Sequence, residues 1–217
     1  MRQNFLDPES LLIANRVLNW AKDYLATDHE NIQRPYNSGV GVCPFITNSI
    51  NNNYFYMAFE PDVLGRSETQ IKEIMMEYMD EFTLELYVAP SEYTKKTLLV
   101  IFPNIPDKRT GILDEVHKQI KTVFVKKGLM IGQFHKNCPD VSVHNSGFRV
   151  SISEIPLIAI RHMAFHDIIF LEENEDPTWF EAYNSRFGDY YKDSKSEENM
   201  KHFQKIYRKL KKKYFGK

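Results

Sequence analysis

The sequence predicts an α+β (or layered α/β) protein, with residues 1–217 forming a single domain in which helices cover a mixed sheet. Three observations predict it. Short apolar runs rich in β formers interleave with segments whose apolar residues recur at helical spacing, the pattern of layered sheets and helices. A chain of 217 residues is long enough for one domain with a real core. No internal repeat, low-complexity linker or break in composition divides it. The N-terminal and C-terminal helices are expected to pack on the outside.

The first helix is predicted over about 8–27. Asp7 can cap it and Pro8 suits its first position, while Leu11, Leu12, Val17, Leu18 and Leu25 recur at helical spacing. The pattern then dissolves from His29 to Val42, a loop with Gly39 and Gly41 that delivers the chain to Cys43-Pro44-Phe45 and an expected strand. Tyr54 to Phe59 is rich in β formers. Ser67 and Gln70 have capping-box spacing for a helix reaching about Leu84, with Ile71, Ile74, Met75, Tyr78 and Phe82 as its buried stripe.

Thr97 to Phe102 is an apolar run closed by Pro103, the mark of a buried strand. Thr110 is the expected cap of the next helix, whose apolar face is Leu113, Val116, Ile120 and Phe124; Gly128 should stop it. Leu129 to Phe134 is predicted as a strand, with Lys136 to Gly147 as a loop after it. Pro156 to His162 is a further apolar run, and Asp176-Pro177 opens more helix. The last helix, about 197–214, carries Lys201, Lys205, Arg208, Lys209 and Lys211 to Lys213 around a stripe of Phe203, Ile206, Tyr207 and Leu210, the pattern of a solvated amphipathic face.

Composition narrows function mainly by exclusion. Hydrophobic residues at 42% and charged residues at 26% are ordinary for a globular chain. A net charge of −1 gives no global attraction to nucleic acid or to an acidic membrane, and no apolar run approaches the roughly 20 residues of a membrane span. The N-terminus lacks a secretory pattern, so the expected address is cytoplasmic, with neither nucleic acid nor membrane as a partner. A small-molecule substrate and a homodimer are the partners expected instead. Aromatic residues at 13% suit either a large core or a cavity lined for a flat ligand.

No phosphate-binding loop, nucleophile elbow or His-Glu-x-x-His pair is present. The candidates are reactive residues at the ends of apolar strands: Cys43, His135, and the pair Arg161–His162, with any chemistry expected where they come together. Cys43 is a nucleophile, a metal ligand or a small buried hydrophobe. His135 is a base, a ligand or a partner of a loop carbonyl, and Gln133 shares its strand face. Arg161 offers a planar fork to a carboxylate, or a salt bridge to Glu172–Asp176, and His162 suits iron. His162 and His166 have zinc-like spacing only on a helix, and here a strand precedes them without a clear third ligand. His117 is expected on an exposed helix face; His29, His144 and His202 carry no assigned role.

The segments Arg34-Pro35, Val42-Cys43-Pro44-Phe45, Gly128 to His135 and Pro156 to Met163 resemble an uncharacterised bacterial domain-of-unknown-function family over a core of about 34–171. More distantly, the layout is similar to the YqcI/YcgG-type haemoproteins, some of which oxygenate nitrogen in amino acids or guanidines. That resemblance implies haem as cofactor and His162 as its metal ligand. Arg161, Arg34 and Phe45 would be cofactor-binding, and His135, Gln133 and Cys43 would line the catalytic pocket. The implied function is a haem-dependent monooxygenase acting on nitrogen of a small amine- or guanidine-bearing metabolite. The alternatives are a non-catalytic haem or small-molecule binding protein, an interaction role for the last helix, and a cysteine-nucleophile enzyme with Cys43 attacking and His135 as base.

Overall fold

A computed structural model describes residues 7–29, 41–86, 88–143, 145–172, 176–191 and 200–216. Its elements are those of an α+β fold around a mixed four-stranded sheet, as the sequence predicts. The chain forms two compact units, Met1–Ile120 with Ile131–Arg161, and Lys121–Met130 with His162–Lys217.

In the first unit, helix α1 (Pro8–Trp20) starts where Asp7 accepts the Ser10 amide and passes into a π-helical turn over Ala21–Leu25. Cys43 and Phe45 lead into a short helix, α2 (Ile46–Asn51), so the strand expected directly after them begins later, at β1 (Phe55–Phe59). Helix α3 (Glu68–Leu84) is capped as expected by Ser67, whose hydroxyl accepts the Gln70 amide. Strand β2 (Thr97–Ile101) runs parallel to β1 and antiparallel to β6 (Leu157–His162), and β3 (Leu129–Phe134) follows β6 in the order β1-β2-β6-β3.

Alternation sorts the sheet's residues onto two faces. On one, Leu99, Ile101 and Leu157 bury Val17 of α1, with Trp20, Phe55, Met57 and Phe134 packed around them. Each such aliphatic side chain is worth about 1.5–3 kcal/mol when fully buried. On the other face Leu98, Val100, Ile158 and Ile160 are buried, with α3 against β2.

Helix α4 (Gly111–Lys126) departs from expectation twice. The Thr110 hydroxyl donates back to the Asp107 carbonyl, because the preceding Asp107–Arg109 segment is already a 3-10 turn. His117 is buried rather than exposed, its Nε2 3.2 Å from the Ile131 carbonyl oxygen, because the helix lays a wider face on β3 than its aliphatic stripe marks. The expected loop after β3 is also corrected: it folds back as a hairpin, β4 (Val141–Ser142) with β5 (Asn145–Arg149).

In the second unit, α4 ends at Gly128 with φ 74°, where a Cβ would collide with the Arg186 guanidinium. That guanidinium donates to the Lys127 carbonyl at 2.9 Å and so closes the helix end. Helix α5 (Pro177–Phe187) is capped by Asp176, and α6 (Met200–Phe215) buries the expected Phe203, Ile206, Tyr207 and Leu210 while its lysines stay exposed. Residues 197–199 of the expected last helix lie outside the described residues. Tyr207 stacks on Tyr191 at 3.9 Å, and the edge of the His166 ring meets Phe203. No helix among the described residues is long and apolar enough to cross a membrane.

Candidate metal centre

The first turn of α4 and the end of β3 bring polar side chains together in the first unit. Gln133 and His135 stand two apart, so both point to the face opposite Phe134. Phe134 turns the other way, edge-on to Trp20 at 5.4 Å. After His135 a tight turn, closed by the Cys138 amide donating to the His135 carbonyl at 3.1 Å, folds Cys138 back toward the strand. The hairpin holds Asp140 beside it through the Val150 amide, which donates to the Asp140 carbonyl at 3.1 Å.

Asp114 is the hub. Its Oδ1 lies 3.0 Å from His135 Nε2, accepts from Gln133 Nε2 at 3.0 Å and lies 3.9 Å from Cys138 Sγ. The same Gln133 amide nitrogen donates to Asp140 Oδ2 at 3.1 Å. Gln133, His135 and Cys138 are buried, Asp114 is 15% exposed, and Asp140 is at the surface. One ligand atom each from Asp114, His135 and Cys138 fits within a span of 4.8 Å.

The cluster leaves two of its buried polar atoms without partners. Gln133 spends its amide hydrogens on two carboxylates, and its Oε1 is left buried without a partner. His135 faces Asp114 through Nε2, and its Nδ1, buried on the other side of the ring, has no hydrogen-bond partner either. Neither carboxylate is hydrogen-bonded by a Lys or Arg among the described residues. Burial pushes the Cys138 thiol up to about 12, with the Asp140 and Asp114 charges adding to the shift and the Asp140 amide and Ser151 hydroxyl opposing it. At neutral pH that sulfur is a protonated thiol and a poor nucleophile.

The residues singled out from sequence divide between two places. Gln133 and His135 belong to this cluster. Cys43 packs with Phe134 against Ala21, Leu25 and Ile46, on the apolar face of β3 away from His135. The structure therefore does not bring the Cys43–His135 pair together. Arg161 and Phe45 do meet, the guanidinium lying over the ring at 4.3 Å. His162 follows Arg161 in β6 and points to the opposite face. Arg34 lies outside the described residues. Asp114, Cys138 and Asp140 were not singled out. The signal for two of them was local: His135-Lys-Asn-Cys138-Pro-Asp140 sets three ligand types within six residues.

The fold and this centre define an α+β protein with a buried mixed-donor cluster at one sheet edge. The chain belongs to the family described as Domain of unknown function (DUF6875), whose model matches residues 14–198. The match runs from the middle of α1 past α5, so it takes in more of the N-terminal helix than the resemblance predicted and leaves out α6, as predicted. No curated protein and no solved structure matches the chain.

Proposed function

We propose that the chain is a metal-dependent enzyme that holds a zinc-type divalent ion on Asp114, His135 and Cys138 and acts on a small molecule. One observation carries the reading: three different ligand types converge within 4.8 Å in a buried cluster where Gln133 Oε1 and His135 Nδ1 have no hydrogen-bond partner. Tetrahedral zinc with bonds of about 2.0–2.3 Å sets neighbouring N and O ligands roughly 3.3 Å apart and S and O ligands roughly 3.6 Å apart. The separations here, 3.0 Å and 3.9 Å, need only small adjustments to reach those values. A cation would also draw the Cys138 proton off, since thiolate is the ligand form. Three protein ligands leave a fourth position for water or substrate, and the partly exposed Asp114 and exposed Asp140 mark the side from which it is reached. Asp140 and Gln133 are positioning residues that orient Asp114. Both cysteines are free thiols, which suits the reducing cytosol as its address.

Titration of the metal-free protein with Co²⁺ tests the proposal. One equivalent should bind with a thiolate-to-cobalt absorption band, and the band should vanish in Cys138→Ser. Binding without that band, or a band unchanged in Cys138→Ser, sinks the reading.

The haem-dependent nitrogen oxygenation implied by the resemblance is the second reading. It is supported by the Arg161 guanidinium 4.3 Å over the Phe45 ring, which puts two of the residues that the resemblance assigns to cofactor binding side by side. A Soret band in protein expressed with haem precursor, lost in His162→Ala, would move it to first place. A folded protein with no such band removes it.

A further inference from the structure

Beside the metal centre lies a cleft of 540 Å³, lined by Gly65, Arg66, Lys108, Arg109, Gly111 and Ile112. It forms where the turn before α3 crosses the 3-10 turn before α4. Gly65 allows that crossing: it has φ 64°, and a Cβ there would meet Ile105 Cγ2 at 2.9 Å and Arg109 Cβ at 3.4 Å. The close approach brings Arg66 and Arg109 to the lining of one cleft.

The cations are available. Arg66, Lys108 and Arg109 are all exposed, and none is in an ion pair among the described residues. Two acids close by in sequence have other partners, Asp107 pairing with Lys136 at 2.8 Å and Glu68 accepting from Gln119 at 2.7 Å. Arg109 touches only the Leu64 carbonyl, at 3.5 Å, which leaves most of its fork unused. Gly111 and Ile112, which open α4, complete the lining, so the positive end of that helix's dipole faces the cleft region. The cleft also shares a wall with the metal centre: Asp114 Oδ2 is the nearest atom, at 3.9 Å, to the position a Cβ on Gly111 would take.

We infer that this cleft binds the phosphate group of a phosphorylated small molecule and so holds the substrate's remaining part at the Asp114 centre. Anion binding stands on the cleft alone, whereas the role as a substrate handle rests on the proposed metal reading. Two planar forks and a lysine suit a compact dianion better than a single carboxylate, because each fork takes two oxygens. With two carboxylates close by, a bound cation should raise affinity for the anion, and by linkage the anion should raise affinity for the cation by the same factor.

The experiment is a calorimetric titration of the metal-free full-length protein with phenyl phosphate and with inorganic phosphate, repeated on Arg66→Gln/Arg109→Gln. The phosphate monoester should bind at least as tightly as inorganic phosphate, and the double variant should weaken it tenfold or more. Its Co²⁺ affinity in the absence of phosphate should stay within about twofold of the parent. Absence of millimolar binding, equal binding by the variant, or binding of inorganic phosphate alone overturns the inference. A cobalt titration without the thiolate band, alongside normal phosphate binding, would remove the metal reading and leave the anion site standing.

Discussion

Two buried polar sites in the first unit stand at opposite kinds of helix end, and they are finished differently. At the C-terminal end of α3, Lys96 is 1% exposed; its ammonium donates to the Phe82 and Leu86 carbonyls at 2.6 and 2.5 Å and lies 4.1 Å over the Phe82 ring. A cation there satisfies two carbonyls that the helix cannot, and it complements the negative end of the dipole. At the N-terminal end of α4, Asp114 complements the positive end, yet its neighbours include a buried amide oxygen and a buried imidazole nitrogen with no hydrogen-bond partner. The first site is closed and acts as a plug. The second keeps two buried polar atoms without partners, which is what separates a candidate functional centre from a structural polar group.

The largest expected effect lies at the plug. Lys96→Ala orphans two buried carbonyls at about 1–3 kcal/mol each, so urea unfolding should show a loss of roughly 2–4 kcal/mol. A loss below about 1 kcal/mol would mean that water replaces the ammonium, and the contrast with the Asp114 centre would collapse.

Next comes the open site. Asp114→Asn should lower Co²⁺ affinity about 100-fold, equivalent to about 2.7 kcal/mol, because it removes both the ligand charge and the hub of the cluster. The same substitution should cost the metal-free protein far less than Lys96→Ala does, since asparagine keeps a side-chain oxygen for Gln133 and His135.

A pH titration distinguishes the two sites without mutation. Burial lowers the Lys96 pKa from its ordinary 10.5 to about 8. Below about pH 8 folded and unfolded chains both carry the proton; between there and 10.5 only the unfolded chain does. The unfolded state then binds more protons, so this group makes stability rise with pH across that window. The neutral amine keeps two hydrogens for its two carbonyls, so the plug stays in place. Urea midpoints from pH 7.5 to 10 should carry this increment in the parent and lack it in Lys96→Met.

The smallest effect concerns the cysteines. Cys43→Ala should leave Co²⁺ affinity within about twofold and cost no more than about 1–2 kcal/mol, the loss of a half-buried small hydrophobe. Alkylation of the native metal-free protein should label Cys43 before Cys138, whose thiol is fully buried and protonated. Equal labelling rates would show that the polar cluster is open to reagent.

How much of this was legible beforehand differs between fold and site. The α+β class, the caps at Asp7, Ser67 and Asp176, the stop at Gly128 and the buried stripe of α6 follow from spacing and local chemistry. His135 with Gln133 was legible too, because two residues along a strand share a face. Cys43 attracted attention through a conspicuous Gly-loop and Pro setting, yet a reactive residue type does not reveal what surrounds it. The cluster's other half was hidden for a simple reason: Asp114 stands 21 residues before His135, on another element.

The sequence by itself determined which segments become helices and strands, where they stop, and which stripe each buries, since those depend on side-chain periodicity and on groups a few residues apart. Only the tertiary structure decided that the first turn of α4 meets the end of β3, that His117 is covered, and that Cys43 packs with Phe134 on the α1 cluster while His135 turns to Asp114. Those outcomes depend on strand order and on how α4 packs, and both are set by contacts between residues far apart in the chain, which no local pattern encodes.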